Sequence, residues 1–385
     1  MPEIHRRDFL KLTALLGGAA LGSWLPISNS LAARTPSGLL FASASSQGER
    51  HALSFGWLKP DGLGSLQHVP LPARAHEVIV HPTEPWLLVV ARRPGTYMFV
   101  VDYRSGEVVR KIVSAKDRHV FGHAIFTADG RHLIYPENKV YPENDIKKGE
   151  GRIVIRDLSA DFAIIADHPA YGIDTHQIAL MADQKTLVIA NGGVQTTPDA
   201  SREKLNVETM RSSLDFIDLM SGQHLDQQTL DPQWQQCSLR HLDINARGDI
   251  IVAMQYEGAP NDDAPLVALK RHGETLKPLW GDATTRFAMK QYCGSAKWNS
   301  RGDLAAISSP RGNLITLWRG DNGELHSTQR LNDGCGLAAL AGDAGFLASS
   351  GNGHLLHIDP LRGSAERIIG AIPDGLNWDN HLLLE

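Results

Sequence analysis

One repeated sequence pattern decides the fold, and it is clearest in Ile244-Asn245-Ala246-Arg247-Gly248-Asp249 and Trp298-Asn299-Ser300-Arg301-Gly302-Asp303. Each predicts a tight turn between two strands, because its Gly tolerates the left-handed backbone that such turns need. The same pattern recurs, more weakly in the last two cases, at residues 126–131, 180–185, 80–85 and 340–345. A strand pair repeated along the chain favours a repeat architecture.

The predicted second strands set the length of the repeat. Their apolar anchors are Leu87, Leu133, Leu187, Ile251, Ala305 and Leu347. Successive anchors lie roughly 42 to 64 residues apart, which is the range of propeller blades. A third strand such as Tyr97–Asp102 follows, then a Gly-containing turn and an edge strand such as Glu107–Val113. Short strands separated by such turns are typical of an all-β fold.

One repeat is divided between the two ends of the chain. Leu39–Ser43, Leu53–Leu58 and Leu66–Leu71 are predicted strands that lack an inner partner, and Trp378–Leu384 supplies one. Closing a ring in this way removes exposed sheet edges. We therefore predict a seven-bladed β-propeller over residues 33–385, in which the C-terminal strand completes the first blade. A pair of β-sandwiches is the alternative, and it leaves the divided repeat unexplained.

The N-terminus resembles an export signal. Arg6–Lys11 reads Arg-Arg-Asp-Phe-Leu-Lys, which is similar to the twin-arginine pattern, and Ser30-Leu31-Ala32 offers a cleavage site. The apolar run Leu12–Leu25 is too short and too rich in Gly and Ala to span a membrane stably. We expect residues 1–32 to be a signal peptide and the mature protein to be periplasmic, with no membrane span. An amphipathic N-terminal helix is the alternative.

Composition narrows the function classes. The chain has 385 residues, 42% of them hydrophobic and 21% charged, which is ordinary for a globular protein and excludes collagen, coiled coil and disorder. The net charge of −5 gives no electrostatic basis for binding nucleic acid. Three Cys are too few for a disulfide framework.

Histidines are concentrated where the predicted inner strands begin, and these starts share one face of a propeller. They are His76, His123, His176, His241 and His381. A gap-free alignment puts them in two adjacent positions, and a shift of one residue reverses the direction of a side chain in a strand. Neutral imidazole is a good ligand for Fe, Cu, Zn and Ni. We therefore expect a hub that binds an Fe or Cu ion or a haem, or an anion when protonated; the alternative is a set of structural histidines bonded to neighbouring strands.

Two cysteines occupy matching positions in adjacent repeats. Cys293 and Cys335 are each followed by Gly, so a disulfide, a soft-metal contact and two buried thiols are all open interpretations. The sequence has no Cys-x-x-Cys-His, His-Glu-x-x-His or Gly-x-Ser-x-Gly motif. This absence argues against covalent c-type haem, a zincin protease and an α/β-hydrolase.

Two long loops are predicted over the same face as the histidines. One is Tyr135–Asp145, and the other runs from Asn191 to Arg211 with a helix near Ser201–Met210. Long loops on a rigid scaffold often carry function. Candidate contacts for a partner on this rim are Glu137, Glu143, Asp145, Asn191 and Arg240.

Several of these stretches resemble a family of secreted bacterial propellers known as domain of unknown function 1513. They are Tyr141–Asp157, Gly172–Gln177, Leu187–Gly193, Lys204–Asn206 and Leu239–Leu242. The chain departs from the family at Gln177, where Glu is frequent. The resemblance implies a periplasmic propeller, similar in fold to YVTN/WD40-like repeats and quinoprotein dehydrogenase heavy chains. It also implies gene neighbours of the imelysin and di-haem types linked to iron uptake, and no known catalytic residues.

Three functions remain open from the sequence. The first is a binding or accessory protein, not an enzyme, that serves iron acquisition through the histidines with an imelysin-type or di-haem partner. The second is an enzyme, either a lactonase-like hydrolase or a quinoprotein-like oxidoreductase, with His as acid or base. The third is a docking scaffold in which the rim loops, and not the histidines, make the contacts.

Overall fold

The computed structural model describes residues 38–139, 150–196, 203–342 and 344–385. These residues form seven antiparallel sheets that follow one another along the chain, and the prediction of a seven-bladed all-β propeller is confirmed. Within the described ranges, no helix has the length and apolar character needed to cross a membrane. The predicted signal peptide, residues 1–32, lies outside the described residues.

The strands are numbered in chain order, and each blade takes consecutive ones. Blade 1 contains β1 (Leu39–Gln47), β2 (Arg50–Lys59), β3 (Gly62–Leu63) and β4 (Gln67–Leu71). Blade 2 contains β5 (Ala75–Val80), β6 (Trp86–Ala91), β7 (Tyr97–Asp102) and β8 (Val108–Val113). Blade 3 contains β9 (Arg118–Val120), β10 (Ile125–Phe126), β11 (His132–Lys139), β12 (Glu150–Asp157) and β13 (Ala163–Pro169). Blade 4 contains β14 (Thr175–Leu180), β15 (Thr186–Asn191), β16 (Ser213–Asp218) and β17 (His224–Gln228).

The remaining blades keep the same order. Blade 5 contains β18 (Cys237–Ile244), β19 (Ile250–Tyr256), β20 (Val267–Lys270) and β21 (Lys277–Leu279). Blade 6 contains β22 (Ser295–Trp298), β23 (Leu304–Ser309), β24 (Leu314–Arg319) and β25 (Leu325–Arg330). Blade 7 contains β26 (Gly334–Ala339), β27 (Phe346–Ser350), β28 (Leu355–Asp359) and β29 (Ser364–Arg367). The short helices of the described chain are α1 (Ala283–Ala288) and two 3₁₀ turns, Pro232–Trp234 and Pro310–Gly312.

The C-terminus closes the ring as the sequence predicts. Strands β30 (Asn377–Trp378) and β31 (Leu383–Leu384) both pair antiparallel with β1 and complete blade 1. Ser45 lies opposite Trp378, and Phe41 lies opposite Leu384. The four residues between β30 and β31 do not pair with β1 in the strand register, which frees two of their side chains, Asp379 and His381, for another role.

The second strand of each blade carries the core. In β6 the residues from Leu87 to Ala91 are all fully buried, because neighbouring blades cover both faces of the sheet. The edge strand β8 shows the opposite pattern, with Val108, Val109 and Val113 about half exposed. Apolar side chains are therefore buried between the blades, and polar side chains lie along the axis.

The inner strands contain irregularities that position the histidines. The pairing of the first two strands of a blade shifts register between Ala75 and Val78, between Thr175 and Ile178, and between Leu239 and His241. A β-bulge inserts an extra residue and turns the side chains that flank it. These bulges explain why histidines in different aligned positions converge on one point.

Two loop predictions need correction. Tyr135–Lys139, predicted as the start of a loop, continues β11 and pairs with both β12 and β9, since its side chains pack in a blade. Residues 203–210 contain turns and no helix, so the described part of the predicted helix near Ser201–Met210 is wrong. Residues 140–149 and 197–202 lie outside the described residues.

Candidate metal centre in the hub

Five histidines from five blades meet at the start of the inner strands. His76 and His176 are the second residues of β5 and β14, and His241 follows the bulge in β18. His123 precedes β10, and His381 lies between β30 and β31. We call these five side chains the hub.

The hub rings are in mutual contact range. His76 lies 5.0 Å from His123 and 4.6 Å from His381, measured between ring centroids. His241 lies 4.8 Å from His176 and 4.9 Å from His381. The remaining measured separations reach 6.2 Å, and the rings meet mostly at steep angles rather than in stacks. Edge-on approach directs ring nitrogens, and not only ring faces, toward the shared centre.

Most of the hub nitrogens that are shielded from water lack a partner. Four of the rings are buried, and His176 is partly buried. The ring atoms with no hydrogen-bond partner among the described residues are His123 Nε2, His176 Nδ1, His241 Nδ1 and His381 Nε2. A buried polar atom left without a partner costs about 1–3 kcal/mol, so four in one place point to a group that binds them.

Two hub rings are oriented by carboxylates from another blade. His76 Nδ1 lies 2.7 Å from Asp379 Oδ1, and His123 Nδ1 lies 3.1 Å from Glu77 Oε2. Each of these bonds uses the Nδ1 position and leaves Nε2 for the centre of the hub. A carboxylate behind the imidazole is the arrangement that orients metal-ligating histidines and raises their basicity as ligands.

Four of the hub rings are held in the neutral form. Burial lowers the pKa of His76 to about 4, against the raising effect of Asp379. Burial, with the neighbouring rings and guanidiniums, lowers the pKa of His176, His241 and His381 well below 6.5. Neutral imidazole is the form that binds metal, so these rings need not lose protons at neutral pH to act as ligands.

Asp379 is a charged group at the edge of this neutral cluster. Burial alone would raise its pKa, but Arg92, His76 and Arg74 together hold it well below its usual range. Its carboxylate lies 2.5 Å from Arg74 Nε and 2.8 Å from a terminal nitrogen of Arg92. Asp379 is therefore ionised at every physiological pH and fixes the position of His76.

The ligand atoms form two triads that share His76. One contains His76, His176 and His241, and the other contains His76, His123 and His381. The ligand atoms in each triad lie within 4.8 Å of one another, and nitrogens around a tetrahedral zinc-like ion lie about 3.3 Å apart. The donor set fits Fe, Cu, Zn or Ni.

The same spacing bears on the expectation of haem. A porphyrin is wider than the separations of 4.6 to 6.2 Å between the hub rings. The five rings would have to move apart to admit one, and buried partners such as Asp379 hold them. The spacing therefore favours a single ion over a haem held between the rings.

A cavity reaches the edge of the hub. It has a volume of about 340 Å³, and its lining includes His51, Arg74, Asp333 and Asp379. Asp379 contacts both this cavity and His76, so one residue separates the cavity from a hub ring. The lining holds two carboxylates and one guanidinium, Arg74, which pairs with Asp379.

The predicted rim residues are largely structural. Glu137 is buried in β11, where it accepts a hydrogen bond from Ser114 Oγ at 2.7 Å, so it is not an exposed contact. Asn191 is fully buried and bonds Thr175 and Asp215. Arg240 is buried and directly precedes the hub residue His241. Glu143 and Asp145 lie outside the described residues.

The cysteines are separate thiols. Cys237, Cys293 and Cys335 are all free and buried, so of the open interpretations the disulfide is wrong. Burial raises the pKa of Cys293 and of Cys335 to about 12. Neutral thiols bind metal poorly, because the thiolate is the ligand form.

Sequence reasoning overlooked the carboxylates of the site. Glu77, Asp174 and Asp379 each lie within two residues of a hub histidine, and this repeated pairing was a readable signal. This proximity in sequence does not show which carboxylate contacts which ring, because Asp379 contacts His76 and Glu77 contacts His123. No comparable sequence pattern points to Arg92, whose guanidinium contacts Asp379.

Comparison with known proteins places the chain in a family. Residues 69–384 match the model described as protein of unknown function (DUF1513), and the chain belongs to that family. No curated protein matches it.

Solved structures agree on the fold. The WD40 repeats of RRP9 align over 86% of this chain and 86% of theirs, with a TM-score of 0.55 and 12% identity. A structure of U3-55K aligns over 76% of this chain and 80% of its own, with a TM-score of 0.54 and 12% identity. At such identity the likeness concerns the fold alone, which hosts many functions.

Proposed function

We propose that this member of the DUF1513 family is a periplasmic binding protein that holds one Fe or Cu ion in the hub and serves iron acquisition. The observation that carries the proposal is the set of four unpartnered ring nitrogens in a cluster of five contacting imidazoles. Unpartnered ring nitrogens also occur at His119, His168 and His357, whereas the hub brings four of them to one site. These hub rings leave one nitrogen each for a ligand.

The electrostatics of the hub support a resident ion. Neutral imidazoles favour a cation at their centre, and the carboxylates of Asp379 and Glu77 lie directly behind two of the hub rings. The lowered pKa of four rings means that they stay neutral while the ion binds. The cavity whose lining includes Asp333 and Asp379 opens beside the ring of His76.

The location and the biological role rest on other features. The N-terminal Arg-Arg-Asp-Phe-Leu-Lys supports export through the twin-arginine pathway, which carries folded cargo and so allows an ion to be loaded before export. The role in iron acquisition, with an imelysin-type or di-haem partner, rests on what the family resemblance implies.

Metal analysis of the exported protein tests the proposal. The unaltered chain should contain about one equivalent of Fe or Cu. Replacing His176 and His241 with Ala should lower the affinity at least about 100-fold, because both rings belong to the centre and removing even an outer-shell partner costs 10–100-fold. His81→Gln is the matched control, since His81 is buried but lies outside the hub.

Two results would reject the proposal. One is the absence of stoichiometric metal from the exported protein even after incubation with Fe²⁺ and Cu²⁺. The other is equal metal binding by the unaltered chain and by the folded double variant, which would place any metal elsewhere.

A further inference from the structure

A group of cationic side chains surrounds the hub on the side of blades 2, 4 and 5. Five cationic groups contact three carboxylates there: Arg74 and Arg92 contact Asp379, Arg93 and Arg240 contact Asp174, and Arg240 and Lys204 contact Glu257. We call Arg92 and Arg240, with Asp174, the collar. Two of its members are close to hub residues in the sequence: Arg240 directly precedes His241, and Asp174 lies two residues before His176.

The two collar guanidiniums are close enough to act on the hub rings. Arg92 lies 3.4 Å from His76 Nδ1, and its charge also lowers the pKa of His241 and His381. The charge of Arg240 lowers the pKa of His176 and His241. Arg92 therefore borders the hub at His76, and Arg240 is a buried side chain directly before His241 in the chain.

Arg240 leaves a donor without an acceptor. Its side chain is 6% exposed, and one terminal nitrogen lies 2.9 Å from Asp174 Oδ2. Its Nε–H has no hydrogen-bond partner among the described residues. Asp174 Oδ2, the neighbouring carboxylate oxygen, also forms no hydrogen bond within the described ranges. A buried N–H donor without a hydrogen bond costs stability unless an acceptor is supplied.

Asp174 shows that the collar is held firmly. It is buried with a backbone φ of 55°, a left-handed conformation that non-glycine residues seldom adopt. Arg93 donates to its Oδ1 at 2.7 Å. A Cβ on Gly192 would come within 2.6 Å of its Oδ2, so the neighbouring Asn-Gly-Gly turn leaves room for this carboxylate. The pairing with Arg93 and Arg240 and the space at Gly192 together hold this carboxylate in place.

We propose that the collar binds a small oxyanion, a carboxylate or a phosphate, that also coordinates the hub ion. This inference rests on the proposed metal function and deepens it by naming the second ligand. Guanidinium groups match the paired oxygens of such anions. A bare cation gains nothing from Arg92 and Arg240, whereas an ion that carries an anionic ligand is attracted by both.

In this arrangement, cation entry and anion binding belong to different sectors of the ring. The cavity beside blades 1 and 7 carries Asp333 as well as the Asp379 that Arg74 and Arg92 pair, so Asp333 is its carboxylate for a cation. The collar belongs to blades 2, 4 and 5 and suits an anion. The hub would therefore take up its ion as a ternary complex, a form in which iron with an anionic chelator could be carried.

Spectroscopy of the Cu²⁺-loaded exported protein tests the collar. Acetate and inorganic phosphate are titrated separately at constant ionic strength, with sodium perchlorate as the balancing salt, and the visible absorption of Cu²⁺ is followed. We expect a saturable spectral change, and the anion that binds more tightly identifies the class. Arg92→Gln and Arg240→Gln should each weaken this binding at least about tenfold, because each removes a charge-assisted donor.

Matched variants keep the test decisive. Arg247→Gln, which removes a guanidinium that pairs with Asp249 at a turn far from the hub, should leave anion binding unchanged. Arg92→Lys keeps the charge but loses the fork and should fall between the unaltered chain and Arg92→Gln. If Arg240→Gln fails to fold, the two Arg92 variants decide.

Cu²⁺ loading is measured on each sample before anion is added, so failure of the metal proposal is seen separately. A loaded protein whose spectrum does not respond to either anion would overturn the collar. Equal anion affinity in the unaltered chain and Arg92→Gln would overturn it as well. Anion binding of the same strength by metal-free protein, followed by calorimetry, would refute the ternary complex.

Discussion

His76 and His81 lie near opposite ends of β5, and both are buried. His81 is fully satisfied by the backbone: its Nε2 donates to Gly130 O at 2.9 Å, and its Nδ1 accepts from Glu84 N at 2.9 Å. His76 has one carboxylate partner at Nδ1 and turns its remaining nitrogen to other rings. Histidine is therefore structural at the turn end of the blade, whereas at the hub end it keeps a ring nitrogen available to a ligand.

Asn245 extends this comparison to the other turns. Its Oδ1 accepts from Arg247 N and Asp249 N, and its Nδ2 donates to Gly302 O of the next blade. Asn299 repeats the pattern with Asp303. At the turn end, polar groups satisfy one another between and within blades. A site for a ligand is expected where this does not happen.

The largest expected difference between the two ends is in the pH dependence of stability. Four hub rings have a folded-state pKa below the unfolded value of 6.5. As pH falls from about 6.5 toward 4, the unfolded chain binds protons that the folded chain does not. The free energy of unfolding of the metal-free protein should fall by up to about 1.4 kcal/mol per pH unit for each ring, and stay level above about pH 7.

Urea unfolding between about pH 4.5 and 8 measures this dependence. Replacing His176 and His241 with Gln should flatten the acid side, although His119, whose pKa burial lowers to about 4, retains part of the slope. Asn245→Ala is the control, because it removes no titrating group. Parallel profiles for the unaltered chain and the His variant would show that the hub does not titrate as described.

A carboxylate behind a ring should matter next most. Glu77→Gln weakens the acceptor for His123 Nδ1, so metal affinity should fall about 10–100-fold. Glu84→Gln, an exposed change at the turn end of the same blade, should have no effect. Competition with a chelator of known affinity gives both values. Unchanged affinity in Glu77→Gln would mean that His123 is not a ligand.

The turn end should show the reverse pattern. His81→Gln leaves backbone N–H groups of Thr83 and Glu84 short of an acceptor, so it should cost about 1–3 kcal/mol of stability. Metal affinity should not change, because His81 makes no contact with the hub rings among the contacts described. Denaturant unfolding and the chelator assay on one preparation compare the two quantities. Weaker metal binding in this variant would show that the two ends of the blade are coupled.

The smallest effect is expected at the thiols. Burial raises the pKa of Cys335 to about 12, and its Sγ lies 3.6 Å from Ser349 Oγ. A thiol reagent at about pH 8 should therefore react with the unfolded chain and not with the folded one. Cys335→Ala should change metal affinity less than about twofold. A larger loss would indicate that this thiol contributes to the centre.

The pattern of the sequence alone determined the architecture. Turns such as Asn245–Asp249 and apolar second strands such as Trp86–Ala91 recur at blade spacing, and the unpaired C-terminal strand leaves one way to close the ring. These features are local, since turn chemistry and a run of apolar residues act over a few residues. The clustering of five histidines at inner-strand starts was also readable for this reason.

Only the tertiary structure decided which atoms meet. The bulges before Val78 and after Leu239 set where His76 and His241 point, and a bulge depends on pairing with the next strand. Asp379 reaches His76 across 303 residues of sequence, because closing the ring brings the C-terminus beside blade 2. Distances, pKa values and unpartnered nitrogens arise from burial between blades, and no short-range pattern in the chain encodes them.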